Sequence, residues 1–321
     1  MKNRVLILSA GRRVELVRCF QEAIRDLNLQ DELEVITADA KPELSAACQV
    51  GSSSFKLPKV TDSQWGNCLQ ELCVNEAVKI VIPTIDTELA KLAELEHKFL
   101  ELGINLVISS RDLIALSRDK RLTGSLFERA GIRYPNIYDP KNLEFPCFCK
   151  PYDGSSSIGA YALYELSDLN DELLSNSRNM FMELIPKTYV EVTVDTYFDR
   201  NGNLRSLVPR ERIETRGGEV SKGITRKGEL YKRLFEGFKN LVGGRGCLTL
   251  QVFWDKTTDD VIGLEVNPRF GGGYPLTDSS GAKFARWLLE EYILNESIPL
   301  FEEWKENLLM LRYDAKVLVE T

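Results

Sequence analysis

The sequence is poor in the residues on which many hydrolases and metalloenzymes depend. Its 321 residues include a single histidine, His97, within a charged run that is typical of an exposed helix face. One such histidine argues against a serine–histidine or cysteine–histidine nucleophile pair and against a histidine-ligated metal. The seven cysteines have no zinc-binding or disulfide spacing. Cys147 and Cys149 alternate with Phe148, a pattern that is typical of strand packing.

Long apolar runs and basic runs are also missing. No segment reaches the ~18 consecutive apolar residues of a membrane span, and the N-terminal apolar run is too short for a signal peptide. The net charge is −7, with basic residues interspersed among acidic ones, which argues against binding to bulk nucleic acid. The 43% hydrophobic content supports a full core. We therefore predict a cytoplasmic protein that binds neither membranes nor nucleic acid.

The first third of the chain alternates short apolar runs with helical patterns. Strands are predicted at 4–9, 34–38, 54–58, 79–83 and 104–109, and helices at 14–27, 64–75 and 88–102. This alternation predicts a doubly wound parallel sheet over residues 1–110, with ligand loops after the strands. The ligand candidates there are Gly11, Arg12 and Arg13 at a helix N-terminus, Asp39 at the end of the second strand, and Asp86 and Glu88 before the long helix, although Asp86 and Glu88 suit helix capping equally well. A full dinucleotide fingerprint is missing, which argues against a nicotinamide cofactor.

A second group of motifs predicts a phosphate site. Residues 145–151 are a predicted strand that ends with Lys150, and residues 154–159 are a loop of small residues that begins at Gly154. Backbone amides of such a loop cradle phosphate oxygens, and a lysine supplies positive charge. The alternative is a plain glycine–serine turn.

The stretch 246–275 predicts a metal site on a β-hairpin. Glu265 and Asn267 share one face of its second strand. A three-residue loop centred on Thr258 places Gln251 opposite Glu265, whereas a four-residue loop places it on the other face. Oxygen ligands on neighbouring strands suit Mg²⁺. The alternative is an ordinary hairpin with a polar solvent face.

Basic side chains are concentrated after the strand predicted at 204–209. Arg210, Arg212, Arg216 and Lys222 lie within thirteen residues of one another. They predict recognition of an anionic group, with a solvated charged loop as the alternative. Gly272, in the glycine run after Arg269, allows the backbone to approach a ligand closely.

The order of these motifs resembles that of the ATP-grasp superfamily, in particular the ATP-binding half of carbamoyl-phosphate synthetase large chains and the small stand-alone ligases similar to it. The resemblance depends on residues 118–120, 145–151, 154–159, 183–185 and 191, and on Gln251 with residues 265–269. It implies a Rossmann-like domain at 1–110 followed by a two-subdomain ATP-grasp fold at 111–321. The latter comprises a helical linker at 111–144, a lid at about 145–185 and a C-terminal subdomain at 186–321.

The resemblance also implies roles for individual residues. The nucleotide contacts are Lys120, Lys150, Gly154, Ser155, Ser156, Ser157, Gly159, Met182, Glu183, Leu184, Ile185 and Glu191. The ligands of magnesium, or of manganese, are Gln251, Glu265 and Asn267. Arg269 stabilises the transferred phosphoryl group, and Lys222 and Arg210 assist it. The substrate contacts are Arg12, Asp86, Arg212, Arg216 and Gly272. Many related ligases have a carboxylate where this chain has Gln251, so the metal count stays open.

The implied reaction is an ATP-dependent ligation of a carboxylate to an amine, or to a thiol, through an acyl phosphate, with ATP cleaved to ADP and phosphate. The first alternative is a carboxyphosphate-forming subunit that needs a partner, because the chain is too short for a duplicated synthetase. The second is a nucleotide-binding module without catalysis. Acid and amine substrates are the expected partners, and a homodimer is left open.

Overall fold

The protein contains three β-sheets of five, six and four strands. The computed structural model describes residues 2–154 and 158–320. Ser155, Ser156 and Ser157 of the predicted phosphate loop therefore lie outside the described residues. None of the described helices is both long and apolar enough to cross a membrane.

The N-terminal sheet is parallel and doubly wound, as the sequence predicts. Its elements are β1 (Asn3–Ile7), α1 (Val14–Asp26), β2 (Leu33–Asp39), β3 (Ser53–Lys56), α2 (Trp65–Asn75), β4 (Val78–Ile82), α3 (Asp86–Glu101) and β5 (Asn105–Leu106). The strand order is β3-β2-β1-β4-β5, and every pairing is parallel. The order reverses between β1 and β4, so the loops after these two strands open at the position where doubly wound sheets bind ligands. Those loops carry Arg12, Arg13 and Asp86.

Two helices lead into the small four-stranded sheet. They are α4 (Arg111–Arg118) and α5 (Lys120–Arg129), and side chains of Ser110 and Asp119 cap their first turns. The sheet elements are β6 (Ile137–Tyr138), β7 (Cys147–Pro151), β8 (Tyr161–Leu163), α6 (Asp171–Ser175) and β9 (Asn179–Glu183), in the order β6-β9-β7-β8. Cys147 and Cys149 are buried against Leu163 and Phe181, as strand packing predicts.

The six-stranded sheet is antiparallel throughout, in the order β14-β13-β10-β11-β12-β15. Its elements, with the helices between them, are β10 (Val190–Phe198), β11 (Leu204–Arg216), β12 (Glu219–Thr225), α7 (Gly228–Phe238), β13 (Gly246–Trp254), β14 (Val261–Asn267), α8 (Tyr274–Ser279), α9 (Phe284–Tyr292) and β15 (Leu309–Leu311). The predicted C-terminal strand at 310–319 is therefore shorter than expected, and it pairs with β12.

The basic residues predicted in a loop lie on strands instead. β11 continues through Arg210 and Arg212 to Arg216, and Lys222 lies on β12. The turn between the two strands is Gly217 and Gly218, both with positive φ, which is the backbone of a tight hairpin. These side chains are consequently fixed by strand pairing, and Arg210 and Arg212, two residues apart on β11, lie on the same face of the sheet.

The predicted pairing of Gln251 with Glu265 is confirmed, but the predicted loop is wrong. Trp254 pairs with Val261, and the intervening loop holds an even number of residues. A shift of register between Gln251 and Val252 leaves Leu264 as an extra residue in β14. This β-bulge changes the parity of the pairing and restores Gln251 to the same face as Glu265.

One apolar core joins the N-terminal sheet to the C-terminal helices. Phe20 of α1 contacts Phe270 edge to face, and Phe284 and Trp287 of α9 belong to the same buried cluster. Because this cluster packs α1 against α9, the loop that carries Arg13 is held against the end of the β13–β14 hairpin. The packing thereby brings parts of the chain more than 200 residues apart to one cleft.

A buried carboxyl group at the start of α3 makes a pH-dependent contribution to stability. Glu88 is 1% exposed and accepts a hydrogen bond from Ser9. The pKa of Glu88 is raised to about 7. Burial is the main cause and neighbouring Asp39 adds to it, whereas hydrogen bonds from Ser9 and from the Thr84 and Ile85 backbone act in the opposite direction. The folded state therefore binds a proton that the unfolded state releases above its ordinary pKa of 4.5.

We expect Glu88→Gln to stabilise the protein more at pH 8.5 than at pH 4.5. A raised carboxyl pKa gives stability that is complete below about 4.5 and is lost as the pH rises through about 7. A neutral amide avoids that loss, so the variant should gain about 1–3 kcal/mol at pH 8.5 and little at pH 4.5. Chemical unfolding at both values measures the difference. An equal effect at both would contradict the assignment.

Candidate functional site

A cleft of about 670 Å³ opens where the three sheets meet. The N-terminal sheet contributes the loops after β1 and β4, the small sheet contributes β7, and the six-stranded sheet contributes β10, β11, β13 and β14. Its charged and amide lining residues are Arg13, Asp86, Arg118, Lys120, Lys150, Glu191, Arg210, Arg212, Glu219, Gln251, Glu265, Asn267 and Arg269. Most of the predicted site residues are therefore brought together.

One end of the cleft is built from two lysines and a carboxylate. Lys150 is 8% exposed, at the end of β7. The pKa of Lys150 is lowered to about 8. Burial is the main cause, Glu265 opposes the change, and the positive charge of Lys120 adds to it. The Lys120 ammonium donates to the Gly154 carbonyl over 2.6 Å and lies 3.8 Å from Glu265 Oε2. Two ammonium groups beside one carboxylate leave an excess of positive charge, as a phosphate site requires.

Glu265 differs from the other carboxylates that line the described part of the cleft. Asp86, Glu191 and Glu219 each form an ion pair with at least one arginine. Glu265 instead accepts a 2.9 Å hydrogen bond from the Asn267 amide, and its cationic neighbours are lysines, with the Lys120 ammonium 3.8 Å away and Lys150 nearby. Its Oε2 and the Asn267 oxygen are therefore available on the face where Gln251 also lies.

These side chains fit a magnesium ion that is held mainly by water and phosphate. In the described parts of the chain, no three His, Cys, Asp or Glu side chains converge as a metal-binding group. A metal would therefore rely on Glu265 with the amide oxygens of Gln251 and Asn267. Mg²⁺ accepts one or two carboxylates with substrate phosphates, whereas zinc requires several nitrogen or sulfur ligands.

The opposite side of the cleft contains a buried arginine. Arg210 is 1% exposed and forms a two-pronged pair with Asp195, with both N–O distances at 2.9 Å. Thr277 also donates to Asp195 over 2.6 Å, and Thr249 does so over 3.3 Å. These bonds fix the guanidinium plane, because a bidentate pair leaves it little rotational freedom.

Two further arginines cross between elements at the cleft. Arg269 donates to Asp86 over 2.8 Å, which links the end of the β13–β14 hairpin to the first turn of α3. Arg212 pairs with Glu191, whose pKa is raised mainly by burial and is opposed by that arginine. The predicted nucleotide contact of Glu191 therefore has to compete with a bound guanidinium group.

The glycine run after Arg269 makes room for arginine side chains. A Cβ on Gly273 would lie 2.1 Å from Arg210 Nη1, and one on Gly272 would lie 2.5 Å from Arg13 Nη1. Real Cβ atoms do not approach other atoms so closely. Gly273 therefore requires glycine for space, because Arg210 is fixed on Asp195, whereas a side chain at Gly272 would have to displace the end of Arg13. The run thus forms a thin backbone wall against which the guanidinium groups pack.

We expect Gly273→Ala to reduce turnover about 10–100-fold, because Arg210 cannot yield without breaking its pair with Asp195 and a small displacement in a catalytic cleft is costly. The backbone must shift instead, which should lower the free energy of unfolding by about 1–3 kcal/mol. Gly66→Ala is the control, since its Cβ would meet only the flexible end of Leu95. ADP release and thermal unfolding measure both effects. Unchanged turnover would show that Arg210 has no part in it.

Several predicted site residues lie outside the cleft lining. Lys222 forms a 2.6 Å ion pair with the exposed Glu214, and Arg216 pairs with Asp314 at the surface. Arg12 is 76% exposed at the cleft mouth. The Met182 side chain is buried in the core, and Glu183 pairs with Arg133. Leu184, Ile185 and Gly159 are also absent from the lining.

The sequence indicated Arg13 as part of an anion site at a helix N-terminus, but it did not indicate that Arg13 and Arg312 meet at Glu219. Arg13 and Arg312 lie 3.5 and 3.2 Å from the Glu219 carboxylate. The double arginine after the first strand was a usable signal for Arg13. Nothing local marks Glu219 or Arg312, because their proximity depends on the pairing of β15 with β12.

Comparison with known proteins agrees with this architecture. Residues 5–107 match the family model described as the PylC-like, N-terminal domain. The biotin carboxylase of Campylobacter jejuni, solved with β-γ-ATP, superposes with a TM-score of 0.73 at 16% identity over 95% of this chain and 74% of that one. N5-carboxyaminoimidazole synthetase of Staphylococcus aureus, solved with ADP, gives a TM-score of 0.71 at 16% identity over 93% and 79%. The chain has the ATP-grasp fold.

A third ATP-grasp neighbour is the biotin carboxylase domain of the Hydrogenobacter thermophilus 2-oxoglutarate carboxylase. This domain dimer was solved with MgADP, ADP and bicarbonate, and it superposes with a TM-score of 0.73 at 15% identity over 95% of this chain and 73% of that one. No curated protein sequence has a significant match. At these identities the likeness establishes the fold, and the activity has to be argued from the cleft.

Proposed function

We propose that the protein is an ATP-dependent ligase that activates a carboxylate as an acyl phosphate and joins it to an amine or a thiol. The observation that carries this proposal is the arrangement of the cleft. Its lysine end, which is formed by Lys120 and Lys150 with Glu265, adjoins the arginines of β11 and the glycine run. A nucleotide triphosphate and an anionic substrate therefore have adjacent sites. The similar folds solved with ADP, MgADP and an ATP analogue support the nucleotide assignment.

The proposed roles follow from charge and position. Lys120 and Lys150 bind the nucleotide phosphates. Gln251, Glu265 and Asn267 would hold magnesium, which supplies positive charge to the phosphate oxygens. Arg269 lies beside this set, and its guanidinium group would stabilise negative charge on the phosphoryl group in transfer. Arg210 would bind the acid substrate at the glycine run.

The reaction then has two balanced steps. A carboxylate oxygen attacks the terminal phosphorus of ATP, the bond to ADP breaks, and an acyl phosphate forms. The amine or thiol next attacks the acyl carbon, inorganic phosphate leaves, and the nucleophile loses its proton. The buried position of Lys150 restricts water near the phosphates, which protects such an intermediate from hydrolysis.

A coupled assay of ADP release over a matrix of acids and amines tests the proposal. We expect release that requires both an acid and a nucleophile, well above release with ATP alone. Thiols replace the amines in a parallel set. If the protein binds ATP in calorimetry and yet releases no ADP with any pair, the nucleotide-binding module is the better assignment.

A carboxyphosphate-forming subunit is the second candidate. It is favoured by the bicarbonate in the similar 2-oxoglutarate carboxylase domain. Bicarbonate-dependent ADP release without any organic acid would support it over the first candidate. A cytoplasmic location, a homodimer and the domain boundaries at 110, 144 and 185 stay predictions from the sequence.

A further inference from the structure

Three arginines surround one carboxylate at the mouth of the cleft. Arg12 and Arg13 come from the loop before α1, Arg312 follows β15, and Glu219 begins β12. Glu219 Oε1 lies 3.5 Å from both Arg12 Nη2 and Arg13 Nη1, and Oε2 lies 3.2 Å from Arg312 Nη1. We call these four residues the mouth cluster. It draws on three segments that are distant in the sequence.

The mouth cluster has too little negative charge for its arginines. Each guanidinium group has five N–H donors, and a single carboxylate cannot pair with three of them in good geometry. The 3.5 Å contacts are long beside the 2.9 Å bonds between Arg210 and Asp195. The Glu219 side chain is also 27% exposed, so its hold on the arginines is weakened by water.

Neighbouring charges increase the imbalance. Burial lowers the pKa of Arg13, and the positive charges of Arg269, Arg312 and Arg12 lower it further, with only Glu219 acting in the opposite direction. Arg269 is itself neutralised by Asp86. The mouth cluster alone therefore keeps an excess of two positive charges, on side chains that solvent can reach.

We propose that the mouth cluster binds a second, non-reacting anionic group of the acid or amine substrate, either a carboxylate or a phosphate. This inference rests on the proposed ligase function and narrows its substrate class. The bound group would accept hydrogen bonds from the guanidinium groups that Glu219 engages poorly. Glu219 would be the counter-ion of these arginines in the empty site, and the bound group would displace it.

The location separates this anion from the nucleotide phosphates. The lysine end is built from α5 and β7, whereas the mouth cluster is built from the loop before α1, from β12 and from the segment after β15. Gly272 connects the two regions, because a Cβ there would lie 2.5 Å from Arg13 Nη1 and 3.0 Å from the Glu219 carboxyl carbon. Arg269 is only three residues from Gly272, so the Cα atoms of these two residues are at most roughly 10 Å apart.

A purely structural role for the mouth cluster makes a different prediction. If Glu219 serves only to tie the C-terminal segment to the N-terminal loop, its loss should loosen the arginines and weaken any anion binding. If Glu219 competes with a bound anion, its loss should strengthen anion binding. The sign of the effect of Glu219→Gln therefore distinguishes the two.

The test is calorimetric titration with inorganic phosphate in the presence of saturating MgADP. We expect the double variant Arg12→Gln/Arg312→Gln to bind phosphate at least about tenfold more weakly than the wild type, and Glu219→Gln to bind it about three- to tenfold more tightly. Arg233→Gln, on the surface of α7, is the matched control and should be unchanged. Lys150→Met reports on the nucleotide end, and it should weaken phosphate binding less than the double variant does.

Thermal unfolding of each variant shows whether it is folded. The single variant Arg12→Gln changes an exposed side chain, so it should disturb the fold least. No phosphate binding by the wild type, equal binding by the wild type and the double variant, or weaker binding by Glu219→Gln would each overturn the proposal. Loss of phosphate binding in Lys150→Met alone would assign the phosphate to the nucleotide site and would also overturn it.

An ADP-release assay then identifies the chemistry of the anionic group. Acids that carry a second carboxylate, acids that carry a phosphate and matched neutral acids are compared at fixed amine. The group that is recognised should give a KM at least tenfold below its neutral analogue, and the double variant should remove this difference with kcat retained. If no acid supports ADP release, the ligase proposal fails, but the phosphate titration still decides whether the anion site exists.

Discussion

Replacing Glu265 with glutamine should reduce ATP turnover about 10³-fold while the protein stays folded. Among the described residues that line the cleft, Glu265 is the carboxylate that has no arginine partner. It supplies the only negative charge in the proposed magnesium set, since Gln251 and Asn267 are neutral amides. Loss of that charge should remove several kcal/mol of charge stabilisation, which corresponds to this factor.

The fold should tolerate the change, because a glutamine preserves the shape of Glu265 and still accepts a hydrogen bond from Asn267. Glu214→Gln is the matched control, because Glu214 is an exposed carboxylate on β11 that pairs with Lys222. ADP release at increasing magnesium concentration is the measurement, and thermal unfolding confirms the fold. Turnover within threefold of the wild type would show that the metal is bound elsewhere.

The loss should be partly recovered at high magnesium concentration if the residue acts through the metal. A glutamine oxygen remains a weak ligand, so the concentration of Mg²⁺ that gives half-maximal rate should rise. A loss that is the same at every magnesium concentration would instead indicate that Glu265 acts on Lys120 and Lys150 by charge. These two outcomes separate metal binding from electrostatic support.

Local pattern predicts much of this fold because short parallel strands and amphipathic helices leave clear periodic signals. The five strands of the N-terminal sheet and the three helices α1, α2 and α3 are examples. β11 was underestimated for a related reason. Beyond Pro209 its residues are charged on both faces, because this hairpin lies over a wet cleft and not over a core. Alternation of apolar and polar residues, which marks a strand, is therefore absent there.

The pairing of Gln251 with Glu265 shows a second limit of sequence reasoning. The predicted register is correct, but the loop on which it depended is not, because the bulge at Leu264 compensates for the longer loop. A bulge is an inserted residue whose position depends on contacts with neighbouring strands, so a hairpin sequence alone does not reveal it. The sequence thus predicts which face of the sheet Gln251 lies on, but it does not predict the length of the hairpin loop.

Contacts between distant segments account for what could not be predicted at the site. Arg269 and Asp86 are 183 positions apart, and Arg312 and Glu219 are 93 positions apart. Charged residues of these kinds occur throughout the chain, and only the packing of α1 on α9 and of β15 on β12 selects these partners. Local sequence motifs therefore do not reveal these pairs, which depend on the packing of distant segments.

Arg269→Gln should lower kcat about 10³-fold and leave the affinity for ADP nearly unchanged. An arginine that balances charge on a transferred phosphoryl group contributes at least this factor in other phosphoryl-transfer enzymes, whereas ground-state binding of ADP depends on the lysine end. Arg269→Lys should keep part of the activity, because a lysine retains the charge and loses the planar fork.

The comparison variant Asp86→Asn separates the charge of Arg269 from its orientation. Asp86 holds the Arg269 guanidinium group over 2.8 Å, and an asparagine leaves the positive charge in place without the ionic clamp. We therefore expect a smaller loss for Asp86→Asn, about 10-fold, through misplacement of the guanidinium group. Steady-state ADP release and ADP calorimetry on all three variants provide the measurements. If Arg269→Gln weakens ADP binding as strongly as it lowers kcat, Arg269 is a nucleotide contact and not a group that stabilises the transferred phosphoryl.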